Sequence, residues 1–193
     1  KKSVPEMNIS TNDILVGSVA NIEVNLPSGA TGSVTLRVGN FTQTKTVSNS
    51  KAAFSVPNLP AGNYTIEANY SGNNIFESAI QTEDFTVNKH NSTTELSYGN
   101  LEVNTDAVFT ITLSNGATGT VDMYVNGVKE TTVNTGQTFT IPNIKRGDYV
   151  VRAVYSGDSY YLPSEDEITF DVGKFNATIA RSEERFSRNA ETD

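Results

Sequence analysis

The chain has 193 residues, 36% of them hydrophobic and 19% charged, which is enough for two small globular domains with cores of their own. A net charge of -8 argues against nucleic acid as a partner, because phosphate recognition needs a cationic face. Cysteine and tryptophan are absent, which removes disulfides and thiolate metal sites. No apolar run is long enough to cross a bilayer and no signal-peptide pattern opens the chain, so no membrane insertion by this segment is expected. The opening Lys1 suits a piece of a longer protein.

In chain order, an opening strand is expected around Met7 to Val16, followed by "ANIEVNL" (20–26), "SVTLRV" (33–38), a hairpin arm around Thr42 to Val47, "AAFSV" (52–56), "YTIEANY" (64–70) and "DFTV" (84–87). Each stretch alternates apolar and polar residues, as a half-buried strand does, and clusters of Gly, Asn, Pro and Ser separate them. Helices have no evident place.

From residue 89 onward the same order recurs. "SGATGSVTLRVGN" from Ser28 lies over "NGATGTVDMYVNG" from Asn115, an offset of 87, and "FSVPNLPAGNYTIEANYSGNN" from Phe54 lies over "FTIPNIKRGDYVVRAVYSGDS" from Phe139, an offset of 85. The two missing residues are placed in the intervening hairpin, where "VGN" and a long arm become a tighter "VNGV". Its Asn126-Gly127 pair suits a two-residue turn with positive φ. About seven strands per copy are expected, the number of an immunoglobulin-like sandwich. The fold class is therefore all-β: two tandem Greek-key sandwiches, at 1–88 and 89–174. Lys2, Lys89 and Lys174 mark equivalent starts, so a third unit is expected to begin near Lys174, with 175–193 as its start or a poorly ordered tail.

Tyr64 and Tyr149 each follow a glycine by two positions, Gly62 and Gly147, at the spacing of a tyrosine corner, whose phenol bonds back to its own loop. Tyr70 and Tyr155 close the next strand. Gly72 and Gly157 then supply a turn angle that side chains tolerate poorly. All eight residues are expected to hold shape and to carry no chemistry.

"PAGNYTIEANYSGNNIFESAIQTEDFTV" and "KRGDYVVRAVYSGDSYYLPSEDEITFDV" resemble the Gly-x-Tyr and Tyr-Ser-Gly-Asp signature of bacterial-type Ig-like repeats on large surface proteins. They are similar in particular to adhesin-like proteins of methanogenic archaea and some bacteria. The resemblance spans residues 2 to about 174. It implies an extracellular, cell-surface location, a monomeric rod that serves as stalk or adhesion module, and contacts to other cells or glycans.

The remaining candidates are weighed against that frame. "RGD" at Arg146 to Asp148 aligns with Ala61, Gly62 and Asn63, so only its glycine is shared, and a structural corner outweighs an adhesion ligand. Asp158 aligns with Asn73; a catalytic acid or calcium ligand would be lost in the first copy, whereas a turn residue would survive because Asn and Asp share Asx-turn chemistry. The acids of "SEDE" (Ser164 to Glu167) alternate faces on a strand and cannot converge on one ion. His90, the single histidine, is expected to be exposed in the junction and has no matching partner in the first copy, and a hydrolase triad is missing. A Lys–Asn isopeptide crosslink is disfavoured, since Asn88 aligns with Gly173 and Glu67 with Arg152. Neither cofactor nor metal is expected. Sequons stand at Asn8, Asn40, Asn63, Asn91 and Asn176. The other reading, a carbohydrate-binding accessory module of a secreted enzyme, needs exposed coplanar rings, for which Tyr124 and Tyr160 are the open candidates.

Overall fold

The computed structural model describes residues 1–173, and every regular element in that range is a β-strand. Lys174, the expected third unit, the 175–193 tail and the sequon at Asn176 lie outside the described residues. Two compact units divide the chain: Lys1–His90 with Ser159–Tyr161, and Asn91–Asp158 with the segment from Leu162 onward. The three transferred residues are tied to His90, whose N–H donates to the Tyr160 carbonyl at 2.9 Å and which bridges Tyr161.

In the first unit, β1 (Asn8–Ser10), β3 (Ala20–Asn25) and β6 (Lys51–Val56) form one sheet in the order β1-β3-β6. The facing sheet holds β2 (Ile14–Leu15), β4 (Ser33–Val38), β5 (Phe41–Thr46), β7 (Gly62–Tyr70) and β8 (Ala79–Asn88), in the order β2-β8-β7-β4-β5. The expected opening strand is thus two strands in different sheets. β1 runs antiparallel to β3, whereas β2 runs parallel to the end of β8. Thr11, Asn12 and Asp13 make the crossing, and the Asp13 carboxylate accepts the Thr86 N–H at 2.7 Å, which fastens the new edge. Alternation alone cannot reveal a sheet switch, because inward residues stay inward on both sides of it.

Period-two alternation puts Ala20, Ile22 and Val24 of β3, Val34, Leu36 and Val38 of β4, Ala52, Phe54 and Val56 of β6, and Ile66, Ala68 and Tyr70 of β7 into one buried layer between the sheets. Each fully buried large side chain there contributes about 1.5–3 kcal/mol. β8 runs well beyond the expected "DFTV": it pairs with β7 from Ala79, but its first residues face solvent on both sides and carry no pattern to read.

The second unit repeats this plan. β9 (Thr94–Tyr98), β10 (Ala107–Leu113) and β13 (Phe139–Ile141) form the sheet β13-β10-β9; β11 (Thr120–Val125), β12 (Val128–Asn134), β14 (Gly147–Tyr155) and β15 (Ser164–Val172) form β12-β11-β14-β15. Phe109, Val121, Met123, Val151, Ala153, Tyr155 and Val172 fill its core. The two units are Ig-like sandwiches built on one topology, with a β2 counterpart lacking among the described residues of the second, where Leu101 to Thr105 form a turn region.

The length difference between copies does not lie in the hairpin turn. Val38 pairs with Phe41 and Val125 with Val128, so both turns hold two residues. Asn126 and Gly127 both take positive φ (49° and 82°), as a type I′ turn requires. The second arm is in fact one residue longer, because a bulge opposite Met123 and Tyr124 leaves Glu130 unmatched between Lys129 and Thr131. The shortening comes afterwards: Thr135 to Thr138 reach β13 directly, and β13 has three residues where β6 has six.

Candidate functional site

The residues singled out by the repeat gather at two places in each unit. At the corner, Gly62 and Gly147 open β7 and β14 with φ of 156° and 155°, a region that a side chain populates only with strain. Two residues on, the Tyr64 hydroxyl donates to the Pro60 carbonyl (2.7 Å) and the Tyr149 hydroxyl to the Lys145 carbonyl (3.0 Å). Their rings stack on Phe85 and Phe170 of the neighbouring strands.

At the other end of the same strands, Tyr70 and Tyr155 are buried, and their hydroxyls donate to the carbonyls of Thr31 and Thr118, each at 2.7 Å. Burial pushes the Tyr70 phenol above its ordinary value. The acceptors lie in the duplicated "GATG" loops, 29–32 and 116–119. Gly72 and Gly157 (φ 75° and 74°) turn the chain against those loops. Gly32 fits so closely that a Cβ would lie 2.5 Å from Ser71 Oγ and 2.8 Å from the Gly72 carbonyl. The role of the "GATG" loop as receptor was missed in the sequence, although its repetition in both copies was the available signal.

Asn73 and Asp158 both tie their turn to this loop, but in opposite senses. Asn73 Nδ2 donates to the Gly29 carbonyl (2.9 Å) and Thr31 Oγ1 (3.1 Å), while its Oδ1 accepts the N–H groups of Ile75 and Phe76. Asp158 has no donor, and its Oδ2 accepts the Thr118 N–H (2.9 Å) and hydroxyl (3.0 Å) instead. The two residues therefore do not serve equally: each has a partner of matching polarity in its own loop.

The other candidates are engaged separately. Arg146 and Asp148 are exposed on either side of Gly147 at the start of β14. Of the acids in Ser164 to Glu167, Glu165 pairs with Arg152, while Asp166 accepts the Leu96 N–H at 2.7 Å. Among the described residues no three such side chains are placed to hold a metal ion. His90 is half-buried, contrary to its expected exposure, because its ring stacks on Tyr160 (centroids 4.3 Å) and Nε2 lies 3.0 Å from the Val16 carbonyl; all three belong to the first unit. Tyr160 is thus stacked on a histidine, and Tyr124 is covered by Arg152, whose guanidinium lies 5.4 Å from the ring centroid. Tyr98, 42% exposed, leans on Phe109 and Phe170. Asn8, Asn40, Asn63 and Asn91 are all exposed.

Residues 7–88 match the family model of the bacterial Ig-like domain (group 3). No curated protein matches the chain. Among solved structures, the chain is similar to the fibronectin(III)-like modules of Clostridium thermocellum CbhA, with 14% identity and a TM-score of 0.37 over 89% of this chain and 97% of that one. It is also similar to the BSP domain of a biofilm associated protein, with 24% identity and a TM-score of 0.29 over 90% of this chain and 30% of that one. The tandem Ig repeats of Dlar give 14% identity and a TM-score of 0.29 over 88% and 98%. Among the described residues, no helix is long and apolar enough to cross a membrane.

Proposed function

We propose that the chain is a non-catalytic segment of a cell-surface, adhesin-like protein, in which Ig-like units of the Tyr-Ser-Gly-Asp type, at 1–88 and 89–174, serve as stalk or adhesion modules. The observation that carries this reading is the match of residues 7–88 to the bacterial Ig-like family, together with a second unit of the same topology directly after it. Gly62, Tyr64, Tyr70, Gly72, Gly147, Tyr149, Tyr155 and Gly157 are assigned to holding each sandwich at its corner and loop end. The four phenols bond main-chain carbonyls of their own unit, which suits scaffolding. The accessory glycan-binding alternative has less support, because Tyr98, Tyr124 and Tyr160 are each packed against other side chains.

Antibodies raised against the purified chain test the location: they should label intact source cells, and labelling only after permeabilisation would overturn it. Beads coated with the chain, applied to cells and to glycan arrays, separate the two surface roles. Retention above uncoated beads assigns adhesion, and no retention assigns the stalk.

A further inference from the structure

The first unit displays what fills the gap between its two outermost strands. Lys45 of β5 stands opposite the buried Val34, so its side chain starts on the inner face of the sheet. From there it lies over Phe54, with the ammonium 5.6 Å from the ring centroid, and Nζ donates to the Ala53 carbonyl at 2.7 Å. Phe54 is left 1% exposed.

In the second unit Val133 stands opposite the buried Val121, in the place of Lys45, and Thr138 and Phe139 replace Ala53 and Phe54. Valine is too short to reach across. A cleft results, lined by Val125, Glu130, Val133, Thr138, Phe139 and Ile141 among others. Three features bear on its occupant. Both flanking strands, β12 and β13, are the outermost of their sheets, so main-chain groups face the opening. Glu130, extruded by the bulge, brings a carboxylate to the rim, while its neighbour Lys129 is committed to Asp122 at 3.0 Å. The charge also favours a cation: residues 91–173 hold eleven Asp and Glu against four Lys and Arg, whereas 1–90 hold seven against six.

We propose that this cleft binds an extended segment of a partner protein that presents a lysine. The stem of that lysine lies over Phe139 and its ammonium sits between the Thr138 carbonyl and Glu130, while the segment's backbone pairs with the free edge of β13. The first unit supplies the precedent, since there the same position is filled by the chain's own lysine. Strand addition supplies affinity and the side-chain pocket supplies selectivity. The inference does not depend on where the protein resides, so it can fail or stand independently of the surface reading.

Calorimetric titration of the full chain with the synthetic peptide Thr-Val-Thr-Lys-Thr-Val-Thr tests it. Saturable one-to-one binding is expected, with affinity about tenfold lower when norleucine replaces the lysine, as the loss of one charge-assisted bond implies. Binding should weaken as salt is raised. Val133→Lys should abolish binding by refilling the cleft, and Glu130→Gln, at an exposed bulge position, should weaken it several-fold with the fold intact. Absence of saturation at millimolar peptide, equal affinity for the norleucine peptide, or undiminished binding by both variants would each overturn the proposal.

Discussion

The two units keep the same strands and the same loop carbonyls but fill them with different side chains. In the first, cross-strand Arg37 pairs with Glu67, and Thr35 bonds Thr44 through neutral hydroxyls. In the second, Tyr124 and Arg152 occupy the first pair of positions, and Asp122 meets both Thr132 and Lys129. Nineteen buried apolar residues form the core of the first unit, against thirteen among the described residues of the second, whose β13 is half as long as β6. Outward positions therefore drift freely. What both units share is the set of contacts in which a side chain, or the lack of one, meets main chain: the corner phenols, the buried tyrosines and the glycines facing the "GATG" loops. Such contacts tolerate few replacements, because a carbonyl cannot be mutated to suit a new partner.

That contrast can be broken or sharpened by paired substitutions. The largest loss is expected for Phe54→Ala, about 3–5 kcal/mol of the first unit's stability, with Phe139→Ala costing about 1 kcal/mol less because its ring already borders an open cleft. Native-state hydrogen exchange reads each unit separately, and equal losses would show the second core to be as closely packed as the first. Gly32→Ala should cost about 3 kcal/mol and Gly119→Ala about 2 kcal/mol. Both have φ near +100°, but the new Cβ meets its nearest atom at 2.5 Å in one loop and 3.2 Å in the other. The reverse order in urea unfolding would mean that the loops relax differently from the strands that hold them.

Exchanging the turn residues should cost less and be asymmetric. Asn73→Asp removes a donor and sets a carboxylate against the Gly29 carbonyl, for a loss of about 1–2 kcal/mol, whereas Asp158→Asn retains an acceptor for Thr118 and should lose under about 1 kcal/mol. Thermal unfolding of the two variants checks the order, and a larger loss for Asp158→Asn would contradict the opposite polarity assigned to the loops. The smallest effect concerns pH. The Thr132 hydroxyl, and after it Lys129, hold the Asp122 carboxyl below its ordinary value. A depressed folded-state value stabilises the second unit above the unfolded carboxyl range and is lost as pH falls through the folded value. Wild type should therefore exceed Asp122→Asn by under about 1 kcal/mol at neutral pH, since the pair is partly solvated, and the gap should close in acid. A gap that persists at pH 2 would mean that the asparagine costs packing and not charge.

The duplicated frame and most strands were legible because their signals are local. "SVTLRV" alternates over the same six residues that form β4, and Asn126-Gly127 sits where the turn needs it. Pro60 and Tyr64 are four residues apart, so their bond lies within one loop. The break between β1 and β2, the exposed half of β8 and the stacking of His90 on Tyr160 were not legible, since each depends on a segment remote in the chain. The chain alone determined two all-β units with inward faces set by alternation, because successive side chains on a strand must point to opposite sides. Only the tertiary structure decided that Asn73 donates where Asp158 accepts, and that Lys45 closes a gap which Val133 leaves open. Those outcomes depend on strand register and on the atoms that register brings together across the sandwich, which no local pattern of residues encodes.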